Sequence, residues 1–140
     1  MFKDLVWKYY YKANGYNYSC SEAMIHASND YFHLDLSEDV FRLVCAYSGG
    51  AGHDEMCGAL ASAIGVLSVL YSVNQRAHDS ARMKELRNEF FARFDSRMGP
   101  YRCLELKKRY ADPVRKCETV VCACADILEE ILRENPPEED

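Results

Sequence analysis

The sequence predicts an all-α protein: a single-domain bundle of about five to seven helices around a central helix rich in small residues. Apolar residues recur at helical spacing through most of the chain, and no stretch alternates apolar and polar residues as a strand would. The 140 residues, 49% of them hydrophobic, suffice for one domain with a core. Since no repeat or linker divides the chain, we expect one domain over residues 1–134 and a disordered acidic tail over residues 135–140.

The first two helices follow from apolar stripes and from helix-end signals. The first is predicted over about residues 2–13 and stops at Asn14-Gly15, a common C-terminal signal. Ser19 and Glu22 have the spacing of a capping box and start the second helix. In that helix Cys20 shares a face with apolar residues, so its thiol is expected to point inward.

The third helix is predicted to start at Ser37, and Cys45 is one of its apolar positions. The central helix spans about residues 54–73. Asp54 and Glu55 at its start either oppose a low pKa of the Cys57 thiol or cap the helix. Most of this segment is uncharged and long enough for a membrane span. Its many Gly, Ala and Ser residues, together with the lack of a second span, favour a buried helix that neighbouring helices approach closely.

Three further helices complete the predicted bundle. An amphipathic helix spans about residues 77–97, and a short helix spans about residues 103–109. Asp112-Pro113, an N-cap followed by proline, starts the last helix over about residues 114–133. The buried face of the amphipathic helix is predicted to comprise Met83, Leu86, Phe90, Phe94 and Met98. That of the last helix is predicted to comprise Cys117, Val121, Cys124, Leu128 and Ile131.

Charge and cysteine content narrow the classes of function. The net charge is −5 and no lysine or arginine cluster is visible, so nucleic acid is not an expected partner. The N-terminus lacks the pattern of an export signal, which predicts a cytoplasmic protein without stable membrane insertion. Seven cysteines in such a protein indicate redox work or metal binding rather than structural disulfides. A redox protein is the expected partner, and a homodimer is left open.

Cys57 is the leading candidate for chemistry, since it lies at the predicted start of the central helix. Unpaired N–H groups and the positive end of the helix dipole there favour a thiolate. A glycine-rich run precedes it and forms either an anion-binding nest or a plain flexible turn. As a nest, this run and the glycine after Cys57 are the candidate cofactor-binding residues: Gly49, Gly50, Gly52 and Gly58.

Four cysteines in their local contexts carry a resemblance to a known family. Cys57-Gly58-Ala59 follows a glycine-rich approach, Cys20 lies in an Asn-x-x-Cys-x-Glu-Ala context, and Cys103 and Cys117 follow downstream. Over nearly its whole length the chain resembles the C_GCAxxG_C_C family of small helical redox-active proteins. The resemblance implies a helical fold and redox activity, with these four cysteines, the quartet, as the site. Ser62 departs from the motif, because a glycine is expected there.

Three functions stay open at this point. In a thiol-based redox protein, Cys57 is the attacking thiolate and Cys20, Cys103 or Cys117 resolves it as a disulfide. In an iron–sulfur or zinc protein, the same four cysteines are ligands from different helices, because no Cys-x-x-Cys spacing occurs. In a non-catalytic interaction module, the cysteines are core residues. Those outside the quartet are expected to pack as small hydrophobic residues: Cys45, Cys122 and Cys124.

Overall fold

A computed structural model describes residues 1–137 as seven α-helices joined by turns, with no β-strand in that range. The all-α prediction is therefore confirmed. The last three residues of the predicted acidic tail, 138–140, lie outside the described residues. The helices are α1 (Phe2–Tyr10), α2 (Cys20–Phe32), α3 (Glu38–Val44), α4 (Gly58–Tyr71), α5 (Ala81–Met98), α6 (Cys103–Tyr110) and α7 (Glu118–Glu134).

Helix α4 is the centre of the bundle, as predicted. It packs against α2, α5 and α7, and small side chains such as Ala59, Ser62 and Ala63 are completely buried on it. These small residues let α2 come close enough for a direct hydrogen bond, in which Ser62 Oγ donates to the Ser21 carbonyl oxygen at 2.9 Å. In the described part of the chain, no helix combines the length and apolar character needed to cross a membrane.

Helices α5 and α7 supply the large side chains that complete the core. The five residues predicted for the inner face of α5 are all buried, with Phe90 and Phe94 at most 1% exposed. The outer edge of the α5–α7 contact carries ion pairs, including Arg93 to Glu134 at 2.6 Å. Because exposed pairs contribute little, apolar burial provides most of the stability of this contact.

Helix α1 ends, and helix α2 begins, close to the predicted positions. The interactions at these two helix ends differ from the predicted ones. Helix α1 stops at Tyr10, and a 3₁₀ turn then leads to Gly15 at φ +88°. Ser19 is the N-cap of α2, although its side chain makes no capping hydrogen bond. Its hydroxyl lies 3.2 Å from Ser21 Oγ, so the predicted capping box does not form.

Two helices begin later than predicted. Helix α4 starts at Gly58 rather than near Asp54, because Asp54 has φ +55° and cannot continue a right-handed helix. Helix α7 starts at Glu118, because Lys116 has φ +54°. Asp112 caps the turn before α7 instead, where its carboxylate accepts hydrogen bonds from the N–H groups two and three residues further on.

We expect Ser62→Ala to lower the free energy of unfolding by about 1 kcal/mol, because one buried hydrogen bond between α2 and α4 is lost. Ser62→Gly, which restores the glycine of the motif, is expected to lose about 1 kcal/mol more through the poor helix propensity of glycine. Urea unfolding measures both values.

The control is Ser96→Ala, at an exposed position of α5, which is expected to change stability by no more than about 0.5 kcal/mol. Equal stability of Ser62→Ala and the unchanged protein would contradict the assigned role of the hydroxyl.

Candidate functional site

The four cysteines of the quartet all lie at helix N-termini. Cys20 and Cys103 are the first residues of α2 and α6, whereas Cys57 and Cys117 are the N-caps of α4 and α7. The fold brings these helix ends into one region: Cys20, Cys103 and Cys117 line one cleft, and the Cys20 sulfur lies against Gly58, the residue after Cys57. In accord with this, a negative charge on Cys57 raises the pKa of each of the other three thiols. Residues that are up to 97 positions apart in sequence therefore form one cluster.

A short antiparallel pairing joins the approach to α4 with the approach to α6. The Cys57 N–H donates to the Tyr101 carbonyl oxygen at 3.0 Å, and the Cys103 N–H donates to the Glu55 carbonyl oxygen. This pairing explains why α4 begins only after Cys57, because the preceding residues are held extended. It also holds the start of α6, with Cys103, against the segment that leads into α4.

The glycine-rich run 49–52 forms a tight left-handed turn, in which all four residues have φ between 60° and 73°. A Cβ on Gly50 would lie 2.7 Å from the Cys103 Cβ, so only glycine fits between the turn and α6. The Gly49 N–H is directed to the Cys20 sulfur and favours its ionised form. The run therefore shapes the thiol cluster, and cofactor binding by its glycines stays a prediction.

Gly58 permits the closest contact between α2 and the start of α4. A Cβ on Gly58 would lie 2.8 Å from Cys20 Sγ and 2.8 Å from the Tyr47 carbonyl oxygen. Because no side chain fits there, the Cys20 sulfur packs directly over the residue that follows Cys57. The motif glycine thus holds two cysteines of the quartet next to each other.

Cys57 is the thiol of the cluster whose ionised form is favoured. A hydrogen bond from the Cys124 side chain lowers the pKa of Cys57 to about 7, despite the opposing effect of burial. The backbone N–H groups of Leu60 and Ala59, in the first turn of α4, lower this pKa further. A single thiolate therefore forms near neutral pH on a side chain that is only 6% exposed.

Cys124 belongs to the site, although the sequence analysis assigned it only to the core. It is completely buried, as expected, and burial raises the pKa of its thiol well above the ordinary value. The thiol thus stays protonated and donates to the Cys57 sulfur. Its spacing of seven residues from Cys117, two helical turns along α7, was the signal that could have identified it.

The other cysteines of the quartet stay protonated at neutral pH. Burial raises the pKa of Cys20 to about 12, and the charge on Cys57 adds to this effect. Burial also raises the pKa of Cys103 and Cys117, while the nearby Lys107 ammonium acts in the opposite direction on both. The cluster consequently holds at most one negative charge near neutral pH, and a second would be repelled by the first.

A cleft of about 680 Å³ opens onto the cluster, and Cys20, Cys103 and Cys117 are part of its lining. Tyr10 of α1 is also in the lining, and its hydroxyl accepts a hydrogen bond from the Cys117 N–H at 3.1 Å. Cys57 is not part of the lining. A molecule in the cleft would therefore meet the protonated thiols first.

The acids before Cys57 do not cap α4, contrary to one of their two predicted roles. Asp54 Oδ1 lies 2.6 Å from Lys107 Nζ, and Glu55 Oε1 lies 3.3 Å from an Arg102 nitrogen. Because these carboxylates pair with cations of α6 and of its N-cap, they help to hold α6 against the glycine-rich turn.

Two of the remaining cysteines lie away from the cluster. Cys45 is exposed, which contradicts its predicted place in the core, and its thiol donates to the Phe41 carbonyl oxygen at 3.3 Å. Cys122 is half-buried on α7, where burial raises its pKa to about 11. Both serve as controls for experiments on the cluster.

All seven cysteines are free. Within residues 1–137, no three His, Cys, Asp or Glu side chains are arranged closely enough to hold a metal ion. The four predicted ligands thus share one region without forming a ligand set. Iron–sulfur or zinc binding by the quartet stays a prediction, and no step proposed below uses a metal.

Comparison with known proteins identifies a family that includes this chain. A family model described as "Putative redox-active protein (C_GCAxxG_C_C)" matches residues 18–131, a region that includes the whole quartet and Cys124. No curated protein and no solved structure matches the chain.

We expect ultraviolet thiolate absorbance to rise as the pH increases through about 7, because Cys57 loses its proton there. The rise should correspond to one thiolate and should be absent in Cys57→Ser. Cys124→Ala should move the midpoint to higher pH, because the main hydrogen bond to the thiolate is removed.

The control for this titration is Cys122→Ser, which should keep the rise near neutral pH. If the first thiolate of the unchanged protein formed near the ordinary cysteine pKa, the assigned electrostatics of Cys57 would be wrong.

Two glycine-to-alanine substitutions on α4 should have opposite effects on stability. Gly58→Ala introduces a methyl group against Cys20 Sγ and should lower the free energy of unfolding by about 1–3 kcal/mol. Gly65→Ala introduces one where nothing lies within 4 Å, so it should stabilise the helix by about 0.5–1 kcal/mol. Urea unfolding of the pair tests this, and a Gly58→Ala protein as stable as Gly65→Ala would contradict the close contact.

Proposed function

This chain belongs to the C_GCAxxG_C_C family, and we propose that it is a redox protein that carries out thiol–disulfide exchange with Cys57 and Cys20 as the reacting pair. The observation that supports this pair most strongly is the contact across Gly58, which places the Cys20 sulfur beside the start of α4. One member of the pair is ionised near neutral pH and the other is protonated.

The two thiols differ in their access to the cleft, and this difference assigns their roles. Cys20 lines the cleft, whereas Cys57 is buried and outside the lining. A disulfide in the cleft therefore reacts first at Cys20, and Cys57 acts on the product of that reaction. This assignment reverses the order expected from the sequence, in which Cys57 attacked first.

The first step forms a mixed disulfide. Cys20 Sγ attacks one sulfur of a disulfide R–S–S–R′ while its proton passes to the Cys57 thiolate. The substrate S–S bond breaks, and R–S⁻ leaves and takes that proton from Cys57. Cys20 is then bonded to R′–S, and Cys57 is a thiolate again.

The second step releases the substrate. The Cys57 thiolate attacks Cys20 Sγ, a bond forms between the two protein sulfurs, and R′–S⁻ leaves. Two electrons have passed from the two cysteines to the substrate, which departs as one thiol and one thiolate. The disulfide R–S–S–R′ is the oxidant, so no other co-reactant is needed.

We expect the reduced protein to lose the mass of two hydrogen atoms when it is incubated with a disulfide without oxygen, and to regain them with dithiothreitol. Peptide mapping should locate the new bond between Cys20 and Cys57. Cys57→Ser should form the mixed disulfide on Cys20 more slowly, because the proton acceptor is lost, and should then retain it, because no thiolate resolves it. Cys20→Ser should form neither the mixed disulfide at this position nor the internal disulfide.

Matched controls are Cys45→Ser and Cys122→Ser, which should oxidise as the unchanged protein does. A Cys57→Ser protein that still forms an internal disulfide at the normal rate, or an unchanged protein that no disulfide oxidises, would overturn the proposal. Extra mass that matches zinc, or iron with sulfide, on protein purified without oxygen would favour the metal alternative instead.

A further inference from the structure

The cleft above the thiols is walled by positive charge. Lys12, Lys107, Arg115 and Lys116 are part of its lining, and within residues 1–137 no Asp or Glu is. The chain as a whole has a net charge of −5. Cations from three separate stretches of an acidic protein are therefore concentrated around one cleft, which gives it a local potential of the opposite sign.

Much of this charge is available to a ligand. Lys107 is paired with Asp54 at 2.6 Å, and Arg115 Nε lies 3.8 Å from Glu118, at the limit of an ion pair. Lys12 and Lys116 form no ion pair within the described part of the chain. Both ammonium groups are on exposed residues, so an anion in the cleft can reach them without breaking an existing pair.

The backbone fixes one side of this cationic wall in place. The turn 112–116 is closed by two hydrogen bonds between Asp112 and Lys116, with N–O distances of 3.1 and 2.9 Å. The Asp112 carboxylate also accepts the Arg115 N–H at 2.6 Å. Because the turn is held by these bonds, the backbone of Arg115 and Lys116 is positioned before any ligand binds, and only the side chains remain to be ordered.

The cleft lining also offers aromatic surface. Trp7 and Tyr11 of the α1 region stack with ring centroids 4.7 Å apart and an angle of 13° between the rings, and both are in the lining. Apolar faces beside fixed cations suit a small organic anion, since they cover its carbon skeleton while the cations neutralise its charge. A cleft of about 680 Å³ is within the size range of small-molecule sites.

We propose that this cleft binds a small disulfide that carries carboxylate groups and presents it to the cluster thiols. The cations would hold the carboxylates at the rim, and Cys20, Cys103 and Cys117 would face the sulfur atoms. The reaction of the bound disulfide rests on the proposed function and follows the two steps given above, with the bound disulfide as oxidant. Binding itself requires only the cleft.

The test compares three disulfides that differ in charge. Oxidised glutathione carries carboxylates and a net negative charge, hydroxyethyl disulfide is neutral, and cystamine is cationic. Each rate of oxidation of the reduced protein, followed by intact mass at physiological ionic strength, is divided by the rate of the same disulfide with dithiothreitol. This normalised rate should be at least about tenfold higher for oxidised glutathione than for cystamine, because the cations attract one disulfide and repel the other. A tenfold difference corresponds to about 1.4 kcal/mol.

The variant Lys12→Glu/Lys116→Glu reverses two charges that form no ion pair in the described structure. It should lose the preference for oxidised glutathione, which is read as the ratio of its normalised rates with oxidised glutathione and with hydroxyethyl disulfide. The matched control is Lys8→Glu/Lys108→Glu, which changes the net charge equally at exposed lysines outside the lining and should keep the preference. Circular dichroism checks that both variants are folded.

Equilibrium binding separates this inference from the proposed function. S-methylglutathione has the carboxylates but no disulfide, so its calorimetric binding reports on the cleft alone. Binding that the cleft variant weakens about tenfold or more, and the control variant does not, supports the inference even if no disulfide oxidises the protein. Equal normalised rates for the three disulfides, or a preference and affinity unchanged in the cleft variant, would overturn it and leave Cys20–Cys57 chemistry intact.

Discussion

The close approach of α2 to α4 is the constraint on which the rest of the molecule depends. Gly58 leaves no space between the two helices at the thiols, and the Ser62 hydroxyl joins them one turn further along α4. Large buried side chains of α5, such as Phe90 and Phe94, complete the core around α4. The thiols thus lie where small residues of α4 let α2 approach closely.

The cluster also shows how a buried negative charge is accommodated. An ionised thiol without partners would be strongly unfavourable inside the protein. Cys57 avoids this because its sulfur is surrounded by donors, namely the Cys124 thiol and the first N–H groups of α4. The thiols of Cys20 and Cys117 stay neutral because burial and the negative charge on Cys57 both raise their pKa values. Cysteines of one region of the fold therefore differ in protonation although their side chains are the same.

The sequence predicted which segments are helical and which cysteines form the quartet. It predicted less well how the helices contact one another. The face of α5 could be predicted because its large apolar residues recur with strict helical spacing. The start of α7 could not, because Asp112-Pro113 suits a turn as well as a helix and the left-handed backbone at Lys116 leaves no trace in composition. Burial of Cys124 followed from periodicity, whereas its contact with Cys57 depends on how α4 and α7 pack. The cationic wall was invisible for a similar reason, since its residues are scattered along the chain and meet only in the fold.

The protonation pattern of Cys57 and Cys20 has a consequence for the energetics of electron transfer. Below the pKa of Cys57, reduction of the proposed disulfide takes up two protons with its two electrons, and above it only one proton. The reduction potential of a two-electron couple that takes up one proton changes by about 30 mV per pH unit, half the slope of a couple that takes up two. The hydrogen bond from Cys124 therefore makes the redox poise of the pair less dependent on pH just above neutrality.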